Sequence, residues 1–175
     1  MSAEAVIRVD IQYAAGRGAD VPAAKSIIRW AKAALADRGA GAQLVVRIVD
    51  ESEGRDLNRR YRGGSGATNV LSFPYDGPQV LRPALLGDVV ICRPVVEREA
   101  DAQGKLRAAH WAHLVVHGVL HLRGYDHERA RDAEIMEALE TQILATLGLP
   151  DPYYEPLPAR APRRSASAGR RRAGR

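Results

Sequence analysis

The sequence predicts a single α+β domain built on a four-stranded mixed sheet with helices mostly on one side. Three observations carry this. Two strand-like patterns flank a helical one, two more strands follow, and the remainder reads as consecutive helices, an order that segregates helices from strands. The continuous apolar runs, such as Leu44-Val45-Val46 and Val89-Val90-Ile91, are strand-length, and none is long enough to cross a bilayer. A chain of 175 residues that is 46% hydrophobic can bury one good core but is short for two.

Residues 6–13 (VIRVDIQY) alternate apolar and polar side chains, the period-two pattern of a half-exposed strand. Asp20 and Pro22 then open a helix over 21–38, in which Ile27, Ile28, Trp30, Ala31 and Leu35 share an apolar face closed by Gly39. A second strand occupies 43–50. Asp50 or Ser52 caps a short helix that runs to about Arg60 and carries Leu57 and Tyr61 inward. Gly63-Gly64-Ser65-Gly66 must loop, and Val70-Leu71-Ser72-Phe73 form a third strand ended by Pro74. Residues 87–92 (GDVVIC) are nearly all apolar, which places this strand centrally in the sheet. Helices follow over 93–103, 107–123 and 128–147; in the last, Ile135, Leu139, Ile143 and Leu147 repeat every four residues. Strand order is not legible, and there is no internal repeat.

Charge divides the chain into a body, residues 1–153, and a tail, residues 154–175. Of 26 Lys and Arg, seven (Arg160, Arg163, Arg164, Arg170, Arg171, Arg172 and Arg175) lie in the last 16 residues. Only Asp151 and Glu155 of the 21 acids lie beyond residue 150, so the residues from 151 onward account for the net charge of +5. Rich in Pro, Ala, Ser, Gly and Arg and without apolar periodicity, the tail is expected to be disordered. Such an arm suits a polyanion, RNA before others, held by screened phosphate contacts; the alternative is a solvated extension with no dedicated role. A single cysteine, Cys92, excludes an intramolecular disulfide and fits a reducing compartment. With no charged-then-apolar leader, the expectation is a cytoplasmic protein with no membrane partner. Cys92 sits in an apolar run and reads as a small core residue.

The chemistry is concentrated in HGVLHLRGYDH, residues 117–127. Residues four apart on a helix lie one above the other, so His117 and His121 can present two imidazoles to one cation. A third ligand cannot continue that stripe, because His113 and His121 are about 12 Å apart along the helix axis. The chain must turn back instead, and Gly124 can end the helix in the left-handed conformation and return His127 to the other two. Three neutral imidazoles leave one tetrahedral position open, the pattern of catalytic zinc; structural zinc fills all four positions, often with several thiolates, and the single cysteine here is Cys92. The site thus falls on a C-terminal helix and the turn that follows it. His110 and His113 share the stripe and read as packing residues or as hydrogen-bond partners of ligands.

Two further features limit the chemistry. The Gly63–Gly66 loop lacks the lysine and hydroxyl of a phosphate-binding GxxxxGK[ST] loop and precedes a strand, so it is no nucleotide site; it suits a rim along which a substrate backbone passes. Zinc peptidases of the HExxH type carry their general base directly after the first histidine, where this chain has Gly118. The nearest other carboxylate is Asp126, which either manages protons at the site, orients a ligand imidazole, or simply stabilises the turn. Arg59, Arg60 and Arg62 flank the glycine loop and can bind phosphate in a bidentate manner, although charge alone equally fits a solvated basic face.

Taken together, HGVLHLRGYDH, LNRRYRGGSGATNVLSFPYD at 57–76, LLGDVVICRPVVEREA at 85–100 and MEALETQILATLGLPDPY at 136–153 resemble the YbeY family. These segments span most of residues 43–153; the first 40 residues match only in plan, and the arginine-rich tail departs from the family core. The resemblance implies a similar α+β fold and a single-strand-specific endoribonuclease acting in 16S rRNA 3′-end maturation and 70S ribosome quality control, with ribosomal proteins and the 30S and 70S ribosome as partners. By the same resemblance, His117, His121 and His127 correspond to the ligands of one zinc ion per chain, and Arg62 to an arginine important for activity. The expected chemistry is metal-assisted cleavage of single-stranded RNA, with Arg62 and His117 as catalytic residues, Asp126 beside them, and Arg59 and Arg60 as RNA contacts. Two other readings predict different outcomes: a non-catalytic ribosome assembly factor braced by zinc, and a zinc peptidase.

Overall fold

The computed structural model describes residues 6–37, 41–78, 80 and 85–154. Its elements run β1 (Ile7–Tyr13), α1 (Ala24–Ala33), β2 (Ala42–Val49), α2 (Glu51–Arg62), β3 (Val70–Pro74), β4 (Leu85–Cys92), α3 (Arg93–Ala102), α4 (Arg107–Leu122) and α5 (Ala130–Thr146). β1 and β2 pair in parallel with Val9 opposite Leu44, the arrangement that a connecting helix such as α1 permits. β4 pairs in parallel with the far side of β2, and β3 runs antiparallel to β4 with Ser72 opposite Val89. The order β1-β2-β4-β3 makes the sheet mixed and places β4 inside it. Its apolar run demands that position: Val89 and Ile91 are buried on one face, Val90 and Cys92 on the other.

The larger core lies on the face where Leu44, Val46, Ile48, Val89 and Ile91 meet Ile27 and Ala31 of α1 and Trp111, Val115 and Val119 of α4. α5 packs behind α4 through Met136 and Leu144. On the opposite face a smaller cluster of Val49, Leu71, Val90 and Cys92 is covered by Val95 of α3 and Leu57 of α2. α4 is therefore enclosed by the sheet and by other helices, which is why its sequence is apolar nearly all round: Trp111, Val115, Val116, Val119 and Leu120 are all 0% exposed. A helix held this firmly is a rigid platform for the side chains at its C-terminal end.

Three local expectations are corrected and one open alternative is resolved. α1 begins at Ala24 and its cap residue, Ala23, offers no side-chain hydrogen bond; Asp20 lies outside the helix and pairs with Arg107 at 3.1 Å. Tyr61 does not turn inward but stays 65% exposed, its ring edge-on to Phe73 at 4.9 Å between centroids. In α5 the most buried line is Met136, Glu140 and Leu144, one residue round from the predicted stripe, and Ile135 is 46% exposed. Asp50, not Ser52, caps α2 by accepting the Glu53 N–H at 2.9 Å. The closing role given to Gly39 and the disorder expected of the tail from residue 155 lie outside the described residues.

Candidate metal centre

The last two turns of α4 present His117 and His121 on its one incompletely covered side. The helix then ends as its sequence requires. Gly124 adopts φ 93°, its N–H donates to the His121 carbonyl at 2.9 Å, and the Tyr125 N–H donates to the Leu120 carbonyl at 3.1 Å. These paired bonds reverse the chain. Asp126 then fixes the turn by accepting the His127 N–H at 2.7 Å. The three imidazoles converge, with ring centroids 4.6 Å (His117–His121), 4.9 Å (His121–His127) and 5.5 Å (His117–His127) apart.

This donor set fits a metal ion. One ligand nitrogen from each of His117, His121 and His127 lies within 4.8 Å of the others. The Nε2 atoms of His117 and His121 are 3.1 Å apart; two nitrogens bound to one tetrahedral ion at about 2.0–2.1 Å stand roughly 3.3 Å apart. The protonation state of His121 suits ligation as well. Burial first, and then the neighbouring His117 and His127, bring the His121 imidazole down to about 4, so it is uncharged at neutral pH.

Behind His117 lies a buried carboxylate. Glu140 is 0% exposed, and its Oε1 lies 2.6 Å from His117 Nδ1. Its Oε2 is shared by His113 Nε2 at 3.1 Å and by the Tyr153 hydroxyl, which donates to it. Burial by itself would raise the Glu140 carboxyl, but the hydrogen bonds from His113, His117 and Tyr153 outweigh it and hold the group down at about 2. Burial and the carboxylate beside it push the Tyr153 hydroxyl up. His113 is thus joined to the centre through Glu140. His110 lies further off and pairs with Glu99 at 2.9 Å, which also accepts from Asn69; burial lowers its pKa despite that partner.

Of the three arginines near the glycine loop, Arg62 reaches the histidines: it lines an open cleft of about 610 Å³ with His121, Tyr125, Asp126, His127 and Glu128. The loop beside it is anchored. Gly63 caps α2 at φ 66°, and Asn58 donates from Nδ2 to the Gly66 carbonyl at 2.7 Å. Arg59 pairs with Asp56 at 3.0 Å on the same helix. Arg60 lines a different hollow, with Asp50, Glu53 and Asp56. Neither is brought to the histidine cleft.

Packing explains Gly118. A Cβ there would lie 2.4 Å from Val89 Cγ1, and the Gly118 carbonyl accepts the Ser72 hydroxyl at 3.0 Å. This side of α4 rests on β3 and β4, so a glutamate at the HExxH position would be driven into the sheet. The residues missed in the sequence are Glu140 and Tyr153. Their signal was present but faint: an acid at the position, between Met136 and Leu144, that an apolar residue would occupy.

A family model described as endoribonuclease YbeY matches residues 18–148. The chain is similar to the endoribonuclease YbeY of Stutzerimonas stutzeri, 56% identical over 154 residues that cover 87% of this chain and 95% of that protein. It is similar also to that of Alkalilimnicola ehrlichii, 57% identical over 149 residues covering 83% and 90%. Among solved structures, TM1509 of Thermotoga maritima superposes with a TM-score of 0.53 at 23% identity, covering 86% of this chain and all of that one; it supports the fold.

Proposed function

Since the chain belongs to the endoribonuclease YbeY family, we propose that it is a zinc-dependent endoribonuclease acting on single-stranded RNA in the cytoplasm. Its substrate on this reading is the 3′ end of the 16S rRNA precursor, and its setting is the 30S and 70S ribosome, among ribosomal proteins, in maturation and quality control. The convergence of His117, His121 and His127 on one another, beside a cleft that His121 and His127 line together with Arg62, is the observation that carries it.

His117, His121 and His127 would hold one zinc ion. When bound, zinc supplies Lewis acidity toward a phosphodiester drawn into the cleft. The chain's own groups do the rest. Arg62 grips phosphate oxygens through its guanidinium fork and offsets the negative charge that grows as phosphorus becomes five-coordinate. Asp126 spends one oxygen on the His127 N–H, and its other oxygen is assigned the proton released by the attacking hydroxyl. That hydroxyl belongs either to water or to the RNA 2′ position, and a 2′,3′-cyclic phosphate product identifies the latter. Arg59 and Arg60 are left to contact RNA beyond the reacting phosphate. The arginines of the tail are assigned to further phosphate contacts.

Peptide hydrolysis of the HExxH type is disfavoured because the packing of Gly118 on Val89 leaves no place for a glutamate directly after the first histidine. A purely bracing zinc is disfavoured because the histidines lie at the rim, outside both apolar clusters. The test compares a labelled single-stranded RNA carrying the 16S 3′ sequence with the same RNA in a duplex, using zinc-loaded protein. Cleavage of the single strand and sparing of the duplex are expected, with accumulation of unprocessed 16S precursor when the protein is depleted from cells. Equal cleavage of both RNAs, or normal 16S ends after depletion, would overturn the corresponding part.

A further inference from the structure

We infer that Glu140 is a positioning residue for the metal centre: its carboxylate holds His117 with the proton on Nδ1 and so turns the Nε2 lone pair toward His121 and His127. The inference rests on the metal-binding reading of the histidines and concerns a residue outside their motif, on another helix.

The sequence makes Glu140 conspicuous once α5 is placed. Met136 and Leu144 flank it on the buried seam at 1% exposure each, where a leucine would complete the apolar contact with α4. A carboxylate there is costly unless its lone pairs are satisfied. They are satisfied in a directed way. Oε1 serves His117 alone at 2.6 Å, while Oε2 takes His113 and Tyr153. With Oε2 already engaged by the Tyr153 hydroxyl and His113, the carboxylate is the acceptor in its bond to His117, and Nδ1 carries the hydrogen. His117 Nε2 is then the unprotonated nitrogen, and it is this atom that faces His121 Nε2 at 3.1 Å.

His117 needs that restraint. Its side chain is 21% exposed, so without a partner behind it either nitrogen could carry the proton and the ring could turn. His113, His117 and Glu140 also bring ligand atoms within 4.8 Å of one another, which raises the possibility of a second cation. The hydrogen bonds decide against it: donor hydrogens from His113, His117 and Tyr153 occupy the directions a cation would use. The arrangement is a carboxylate–histidine pair behind a ligand, with Tyr153 and His113 holding the carboxylate itself.

Glutamine at 140 would keep the volume but replace one acceptor oxygen with an amide that donates, so it cannot serve all three donors. The experiment measures zinc affinity by chelator competition for wild type, Glu140→Gln, His117→Ala and the double variant. Alongside, nitrogen-15 NMR of the histidines in the metal-free proteins reports which ring nitrogen is protonated. Glu140→Gln is expected to weaken zinc binding by about 10–100-fold and to have no further effect once His117 is alanine. His117 of the wild type should show a protonated Nδ1. A His117 protonated on Nε2 in the metal-free wild type would overturn the proposal without any variant having to fold. Unchanged zinc affinity in Glu140→Gln, or an equal loss in the His117→Ala background, would overturn it while leaving the metal centre standing. Failure of the wild type to bind zinc would instead sink the metal reading and this role with it.

Discussion

Replacing Gly118 with alanine tests whether the histidine helix is held in place by its contact with the sheet. Two terms oppose each other. Alanine is favoured over glycine in a helix interior by about 1 kcal/mol. Against this, the new methyl would lie 2.4 Å from Val89 Cγ1 and 3.2 Å from Cγ2. Val89 is 0% exposed and β-branched, so it cannot swing clear, and α4 must lift from β4. Overpacking of this kind costs about 1–3 kcal/mol, which leaves a net destabilisation of roughly 0–2 kcal/mol. The relief variant is Val89→Ala. In that background the clash is gone, and Gly118→Ala should recover the helical gain of about 1 kcal/mol. Urea unfolding of the four proteins reads this as a sign change in the shift of the midpoint, provided the m-values agree. If Gly118→Ala stabilises the wild-type chain as much as it stabilises Val89→Ala, the two residues are not in contact and the packing account of the missing glutamate fails.

Arg62→Lys keeps the charge but loses the planar fork, so single-turnover RNA cleavage should fall nearly as far as in Arg62→Ala; full activity in the lysine variant would show that charge alone suffices. Removing zinc with a chelator should leave the helical circular-dichroism signal intact, since both apolar clusters form without the histidines. Folding stability should drop only by the binding term, about 2.7 kcal/mol at a hundredfold excess over Kd, and outright unfolding would favour a bracing metal. The hydrogen bond from Arg123 to Asp37, with Nη2 and Oδ2 3.0 Å apart, holds the Asp37 carboxyl below its ordinary value of 3.8. A carboxyl with a depressed folded-state pKa adds stability above that value and loses it as pH falls through the folded pKa. Asp37 is 67% exposed, so Asp37→Asn should cost less than about 1 kcal/mol at neutral pH, and the difference should vanish well below pH 3.8. A difference that grew on acidification would contradict the pairing.

The sequence was most legible where local physics decides the outcome. Asp50 as a cap, the turn at Gly124 and the interior placement of β4 follow from side chains a few residues apart or from an unbroken apolar run. The metal-binding geometry was legible for the same reason, since a helical spacing of four and one glycine bring His117, His121 and His127 together. What depends on distant partners was not. The insertion of β4 between β2 and β3 is set by which strands meet across the sheet. Glu140 looks like any charged residue of a surface helix until α5 is rotated one residue from the stripe that Ile135, Leu139, Ile143 and Leu147 suggest. Charge pattern likewise grouped Arg59, Arg60 and Arg62, whereas successive positions on α2 point in different directions and only Arg62 lines the histidine cleft. Gly118 is an intermediate case: the missing base could be read directly, but the contact with Val89 that forbids it could not.

The central claim is that three histidines hold the metal with which this chain, aided by Arg62, cuts RNA. The most direct test measures zinc content and single-stranded RNA cleavage side by side on wild type, His117→Ala and Arg62→Ala, each freed of contaminating nucleases. The account predicts loss of both zinc and cleavage in His117→Ala, and retention of zinc with loss of cleavage in Arg62→Ala. Cleavage that is the same in all three proteins would contradict it.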